Sequence, residues 1–193
     1  MQVQRSTFLC LIIILLLLSL MLVSCGESVG GNGKSPIFLV VGDPGGAEDV
    51  LGVLVDVYTP TVPSGVTDTR YEKFTIESIY KNQTNTPTTV FADVIITEYR
   101  VTYYRVDGSS NVPDPFMMNI SMRVPAGSTG TVENLPIMLA SAKLKSPLKE
   151  LAFGGGEGEI YFNAVVEFFG EDLMGNAVSC KTVIIVLASD FPG

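Results

Sequence analysis

The sequence predicts an all-β protein, folded as an antiparallel β-sandwich of about seven to eight strands. Short runs in which apolar and polar residues alternate recur along the chain after Pro36, and this pattern is typical of strands with one buried face. Gly, Pro, Asn and Asp bound these runs, and such residues favour turns. With 47% hydrophobic residues among 193, the chain can build the core of one domain.

Three strands are predicted in the first part of the domain. Residues 37–41 form a short apolar run, and residues 50–58 form a second candidate before a segment rich in proline. Residues 71–81 form the third. Because successive side chains of a strand point to opposite faces, its apolar residues share one side: Phe74, Ile76 and Tyr80.

The longest candidate strand covers residues 90–106 and changes the parity of its apolar positions. Val94 and Ile96 are even-numbered, whereas the apolar residues that follow are odd-numbered: Tyr99, Val101 and Tyr103. One extra residue in a strand reverses the faces of everything after it. The sequence therefore predicts a β-bulge near Glu98.

The clearest alternation lies in residues 116–124. Every even-numbered residue there is apolar, and the intervening positions are Met117, Asn119, Ser121 and Arg123. This pattern predicts a strand with one buried and one wetter face.

The segment 131–145 fits two structures. Pro136 tolerates only an edge strand, and residues 138–143 could equally form a helix. Residues 146–150, Ser-Pro-Leu-Lys-Glu, predict one capped helical turn.

The last two candidate strands, residues 159–169 and 176–188, predict a hairpin joined by residues 170–175. The Asp-x-x-Gly-Asn pattern of Asp172, Gly175 and Asn176 resembles the closing hairpin of bacterial immunoglobulin-like and fibronectin type III-like domains. The resemblance implies an immunoglobulin-like sandwich over residues 36–193. The sequence differs from antibody-type domains, which carry a buried Trp and a disulfide, because it has no Trp and no expected cysteine pair.

The N-terminal 24 residues have the three parts of a secretory signal. Arg5 supplies the positive start, residues 8–22 are apolar, and small residues follow. The apolar run is shorter than the roughly 20 residues that a spanning helix needs. Residues 25–35 are rich in Gly and small polar residues, which predicts a flexible tether between the signal and the domain.

Four residues at the end of this segment, Leu22, Val23, Ser24 and Cys25, resemble the lipobox of bacterial lipoproteins. The resemblance implies that a signal peptidase recognises the first three and that Cys25 becomes the lipidated N-terminus. Two or three acyl chains hold a protein durably on a bilayer. Gly26 follows the cysteine where Asp would resemble an inner-membrane retention signal, so the outer membrane is favoured.

The charge of the chain excludes some partners. Twelve Lys and Arg stand against 20 Asp and Glu, for a net charge of −8, whereas nucleic-acid binding depends on clustered Lys and Arg. We expect no nucleic acid as partner. The lipid on Cys25 and another envelope protein are the expected contacts.

No catalytic residues and no cofactor are predicted. The chain has no histidine, which removes the commonest general base and metal ligand. A pair of carboxylates, as in glycosidases, is the chemistry that stays open. Cys180 lies in an alternating run, and we expect it to pack as a small buried hydrophobe.

Two groups of side chains are candidate binding residues. Loop acids could supply oxygen ligands to calcium, either Asp43, Glu48 and Asp49 or Glu157, Glu159 and Asp172, although neither set has EF-hand spacing. Tyrosines and arginines of one strand could form a recognition patch, here called the Tyr/Arg patch: Tyr99, Arg100, Tyr103, Tyr104 and Arg105. Alternatively, these side chains cover the sheet, with arginine stems over apolar surface.

The sequence thus predicts a lipid-anchored protein of the bacterial cell envelope that binds or supports another envelope component and is not catalytic. Two other functions remain open. One is a carboxylate-dependent hydrolase acting on an envelope glycan. The other is an accessory subunit of a secretion or filament complex.

Overall fold

The computed structural model describes residues 34–42, 52–58, 68–82 and 89–191. These residues form eight β-strands in two sheets with short helical segments between some of them. The predicted all-β sandwich is confirmed. The predicted signal segment and the lipobox-like residues lie outside the described residues: Leu22, Val23, Ser24 and Cys25.

The strands are numbered in chain order. Their bounds are β1 Ile37–Val41, β2 Val53–Asp56, β3 Arg70–Tyr80, β4 Val94–Arg105, β5 Phe116–Val124, β6 Thr129–Met138, β7 Glu159–Asp172 and β8 Ala177–Ser189. A three-stranded sheet has the order β1-β3-β6, and a five-stranded sheet has the order β2-β8-β7-β4-β5. The predicted closing hairpin, β7–β8, is an antiparallel pair in the five-stranded sheet.

One strand pair differs from the predicted antiparallel arrangement. β2 runs parallel to β8, with Val53 opposite Val186, whereas the other strand pairs in the described residues are antiparallel. β1 and β2 both run away from the end of the sandwich that holds Ser35. The chain therefore changes sheet without reversing direction, and β2 joins β8 in parallel.

The predicted bulge in β4 is confirmed. The register of β4 shifts between Ile96 and Glu98 against both neighbouring strands. Relative to β7, Thr97 is the extra residue, and the buried positions of β4 change from even-numbered to odd-numbered after it. Opposite the bulge lies Gly170 of β7, where a Cβ atom would come within 2.2 Å of the Ile95 carbonyl oxygen.

The strand predicted over residues 90–106 begins later than expected, because Val90–Ala92 form a 3₁₀ turn. The Phe91 N–H donates to the Thr89 hydroxyl over 3.3 Å, and the Asp93 N–H donates to the Val90 carbonyl over 3.1 Å. In a strand, these backbone N–H groups would need hydrogen bonds to an adjacent strand. Here they find their acceptors within the turn itself.

β5 has the predicted bounds and most of the predicted alternation. Met122 and Val124 are buried, and Arg123 between them is exposed. Met118 was expected on the buried face but is 39% exposed. β5 is an edge strand of the five-stranded sheet, and its buried residues lie in its C-terminal half.

Both structures predicted for residues 131–145 occur, one after the other. Pro136 lies in β6, an edge strand, and a short helix, α1, follows at Ala140–Lys143. A 3₁₀ helix then covers Leu148–Gly154 and has no side-chain cap. The predicted helical turn is present but its cap is not, because the N-cap position is Pro147; the hydroxyl of Ser146 accepts a hydrogen bond from the Asn111 side-chain amide, 3.1 Å away.

The core lies between the facing sides of the two sheets. Phe74 of β3 packs edge-on against Phe168 of β7, with ring centroids 5.5 Å apart, and Phe168 also contacts Tyr99 of β4 at 6.2 Å. Aromatic rings at these separations attract each other beyond the area they bury. This aromatic group joins the two layers at their centre.

Candidate interaction surface

The structure divides the predicted Tyr/Arg patch between two faces of β4. Tyr99, Tyr103 and Arg105 point into the protein and are 0%, 3% and 8% exposed. Arg100 and Tyr104 point outward. The residues are close in sequence, but because side chains of a strand alternate, they cannot form one surface.

The two inward tyrosines connect the sheets. The Tyr99 hydroxyl donates to the Pro136 carbonyl oxygen over 3.0 Å, and the Tyr103 hydroxyl donates to the Ile137 carbonyl oxygen over 2.5 Å. Both carbonyls belong to the edge strand β6. Burial raises the pKa of Tyr99 to about 12 and also raises the pKa of Tyr103, so both hydroxyls remain donors.

Arg105 holds two acidic loop residues beside the end of β4. Its guanidinium donates to Glu157 over 2.8 Å through Nη1 and to Asp107 over 3.0 Å through Nε. These hydrogen bonds, the one to Glu157 first, raise the pKa of Arg105. Arg105 therefore orders two loops and is not available to a partner.

The same acids line a shallow cavity of about 210 Å³ together with Glu159 and Tyr161. The hydrogen bond from Arg105 lowers the pKa of Asp107 and of Glu157. A glycosidase pair needs one carboxyl with a raised pKa that keeps its proton near neutral pH. Asp107 and Glu157 do not supply that acid.

Arg100 lies on the outer face of the five-stranded sheet. Its guanidinium pairs with Glu167 of β7, Nη2 to Oε2 at 2.5 Å, and lies 5.5 Å from the ring centre of Phe169. For Arg100, this arrangement fits the alternative interpretation of the Tyr/Arg patch, in which the arginines cover apolar surface of the sheet. The apolar surface in this case is the ring of Phe169.

The remainder of that outer face carries a group of exposed apolar side chains. We call it the outer patch, and its members are 42% to 57% exposed: Leu54, Tyr104, Tyr161, Val183 and Ile185. Ile185 lies opposite Asn163, which in turn lies opposite Tyr104. Leu187 lies between Tyr161 and Leu54, so the patch extends over four adjacent strands.

Of the outer patch, only Tyr104 was among the predicted site residues. For Val183 and Ile185 the sequence signal is the unbroken apolar run 183–187 in β8, Val-Ile-Ile-Val-Leu. A run without alternation is apolar on both faces of its strand. Contiguous apolar groups on a surface mark binding sites more often than scattered ones do.

Of the two sets of calcium-ligand candidates, the one that the structure describes does not come together. Glu159 is the first and Asp172 the last residue of the 14-residue strand β7, and Glu157 lies just before it. The two ends of the strand are roughly 40 Å apart. Asp43, Glu48 and Asp49 lie outside the described residues. Within the described ranges there is no group of three or more Asp, Glu, His or Cys residues that could hold a metal ion.

Asp172 instead organises the β7–β8 turn. Its carboxylate accepts hydrogen bonds from the backbone N–H of Met174 at 3.0 Å and of Asn176 at 2.9 Å. Burial acts to raise the pKa of Asp172, but hydrogen bonds from Asn176, Ser35 and Met174 outweigh it and hold the pKa below its ordinary value. Gly175 supplies the positive φ of 79° that this turn requires.

Cys180 is free and only 4% exposed, as predicted. Burial raises the pKa of its thiol to about 12, so it stays protonated and packs as an apolar side chain.

In the part of the chain that the structure describes, every helix is too short or too polar to cross a bilayer. Compared with known families and curated proteins, the chain matches no family model and no curated protein.

Proposed function

We propose that this protein is a lipid-anchored component of the bacterial cell envelope whose β-sandwich binds another envelope protein through the outer patch. The observation that carries the proposal is the exposure of five large apolar side chains on one face of the five-stranded sheet. The role is binding, without a reaction of its own.

The composition of this face suits a protein partner. Tyr104 and Tyr161 offer broad rings with a polar tip, and tyrosine is enriched where proteins meet. Beside them, the Arg100–Glu167 ion pair and the exposed Lys181 give the apolar area a charged margin. An apolar centre inside a polar rim is the usual arrangement of protein–protein interfaces.

The anchor part of the proposal rests on the lipobox-like residues Leu22, Val23, Ser24 and Cys25. Acyl chains on Cys25 would confine the domain to the membrane surface. Confinement raises the effective concentration of neighbouring envelope proteins, so a patch of modest size is sufficient for binding.

We also propose that the sandwich is immunoglobulin-like. The strand order supports this, because β1, β3 and β6 form one layer and β8, β7, β4 and β5 are consecutive in the other. The turn at Asp172 has the Asp-x-x-Gly-Asn pattern on which the sequence resemblance depends, and it closes the β7–β8 hairpin.

Photo-crosslinking in the native bacterium tests the binding surface. A photoreactive phenylalanine analogue replaces Ile185, or Glu77 as a control that is exposed on the outer face of the other sheet. We expect Ile185 to form an adduct with one envelope protein, identified by mass spectrometry, and Glu77 to form none. When Val183→Lys is added to the variant with the photoreactive residue at position 185, the adduct should disappear while the amount of anchored protein stays the same.

An adduct that forms equally from both positions, or that survives Val183→Lys, would contradict the role of the outer patch. The anchor is tested separately by the intact mass of protein extracted from membranes. We expect a chain that begins at Cys25 and carries acyl groups, and a Cys25→Ser variant without them.

A further inference from the structure

We propose that one end of the sandwich contacts the lipid bilayer directly, through four side chains here called the tip: Val90, Phe91, Leu173 and Met174. This inference rests on the proposed lipid anchor at Cys25. The partner is the apolar interfacial layer of the membrane, and the contact fixes how the domain stands on it.

The tip is built by two turns that meet at the same end of the five-stranded sheet. Val90 and Phe91 belong to the 3₁₀ turn before β4, and Leu173 and Met174 form the turn between β7 and β8. The Leu173 N–H donates to the Asp93 carbonyl over 3.0 Å, which ties the turns together. The four residues are 49% to 61% exposed.

The chain enters the domain at this same end. Ser35, which is 2% exposed, directs its hydroxyl to the Asp172 carboxylate, immediately before Leu173. The segment between Cys25 and Ser35 has nine residues. Even fully extended, that many residues reach no farther than roughly 35 Å, which is less than the length of the 14-residue strand β7. Acyl chains on Cys25 would therefore hold the tip, and no other end of the molecule, next to the bilayer.

The chemistry of the two turns fits the membrane interface. Backbone N–H groups that would be costly to place near lipid are already bonded, those of Met174 and Asn176 to Asp172 and that of Ala126 to Asp93 over 2.8 Å. Both acids are 3% exposed. Apolar side chains above such satisfied turns can enter the headgroup region by 5–10 Å, roughly the depth reached by interfacial segments.

Charges of both signs lie near the tip: Glu171 near the end of β7 is exposed, and two cations lie close by. Arg123, 58% of whose side chain is exposed, pairs with Asp93 beneath the tip, and Lys34 is exposed beside Ser35. These cations lie where lipid phosphates would be. Because the net charge of the chain is −8, we assign the contact to apolar insertion, which requires no anionic lipid.

The chain has no tryptophan, so a single introduced one reports its own surroundings. The full-length, acylated protein, verified by intact mass, is reconstituted into phosphatidylcholine vesicles with or without bromine on the acyl chains near the headgroup. Phe91→Trp places the reporter in the tip. Phe153→Trp is the matched control, because Phe153 is 78% exposed and packs on Tyr58 at the opposite end.

We expect a blue-shifted emission for Phe91→Trp in vesicles and a quenching by brominated lipid several-fold stronger than for Phe153→Trp. Leu173→Trp, in the other turn, should give the same result and replaces Phe91→Trp if that variant unfolds. Acylated protein with equal, weak quenching at both ends would overturn the lipid contact and leave the anchor intact. A blue shift of Phe91→Trp that appears in native membranes but not in the vesicles would overturn the lipid contact and assign the tip to a protein. Protein without acyl mass would overturn the anchor and this inference together.

Discussion

Tyr103 and Tyr104 are adjacent in the chain and have opposite roles. Tyr103 is 3% exposed and bonds to β6 across the core, whereas Tyr104 is 57% exposed and belongs to the outer patch. The sequence predicted both as members of one patch. Composition identifies tyrosines that suit a binding surface, but only the register of β4 decides which face each one occupies.

Removing the two hydroxyls in turn tests this division of roles. Tyr103→Phe should lower the free energy of unfolding by about 1–2 kcal/mol, because the buried Ile137 carbonyl loses its donor. Tyr104→Phe should change it by less than about 0.5 kcal/mol. Chemical denaturation of both variants measures the difference. Equal losses would show that the Tyr103 hydrogen bond does not stabilise the sandwich.

Alkaline pH gives a second measurement of the same hydroxyl. The pKa of Tyr103 is raised in the folded protein above its ordinary 10.0, so its contribution is complete below pH 10 and is lost as the pH rises toward the folded pKa. The free energy of unfolding should decline above pH 10, and less steeply in Tyr103→Phe. A decline of the same steepness in both proteins would contradict this assignment.

At the scale of elements, the sequence predicted what depends on local pattern. The period-two alternation gave the bounds of β5, and the parity change located the bulge of β4. The parallel pairing of β2 and the 3₁₀ turn at Val90–Ala92 were not predictable in this way. The first depends on where the chain changes sheet, and the second on hydrogen bonds of Thr89 and Asp93 that compete with a strand.

The bulge of β4 requires a residue without a side chain at the opposite position of β7, Gly170, and this requirement can be tested. Gly170→Ala places a Cβ atom within 2.2 Å of the Ile95 carbonyl oxygen, so the backbone of β4 or β7 must shift. We expect a loss of about 1–3 kcal/mol in the free energy of unfolding, the usual cost of overpacking. Gly42→Ala is the control, because its Cβ would lie 3.4 Å from its nearest neighbour, the Thr75 carbonyl oxygen. Equal losses would mean that Gly170 is not required by the bulge.

At the scale of the whole molecule, Lys143 links the two sheets near the end opposite the tip. It is 3% exposed, and its ammonium donates to the Asp56 carbonyl over 2.8 Å and the Asp68 carbonyl over 2.7 Å. Asp56 ends β2 of one sheet, and Asp68 precedes β3 of the other. Burial lowers the pKa of Lys143 from 10.5 to about 8.

The lowered pKa predicts how stability depends on pH. Between pH 8 and 10 the unfolded chain keeps the Lys143 proton and the folded protein releases it, so the free energy of unfolding should rise with pH. This rise should be absent in Lys143→Met and present in Lys145→Met, whose side chain is 65% exposed. Denaturation at a series of pH values measures it. A rise that persists in Lys143→Met would refute the assignment.

The candidate site was less predictable than the fold. A strand can be recognised from its own residues, but the outer patch combines Leu54 of β2, Tyr104 of β4, Tyr161 of β7 and two residues of β8. Which side chains become neighbours depends on the strand order. Two acids expected to share calcium, Glu159 and Asp172, lie apart for the same reason, because they are the first and last residues of β7.

The length of β4 determines how far the outer patch lies from the tip. The strand begins with Val94 beside the tip and reaches Tyr104 ten residues later, a rise of roughly 30 Å. With the tip in the bilayer, Tyr104 stands about that far from the headgroups. If the proposed tip contact and outer patch are both correct, a partner protein would have to extend at least this far from the membrane surface to reach Tyr104.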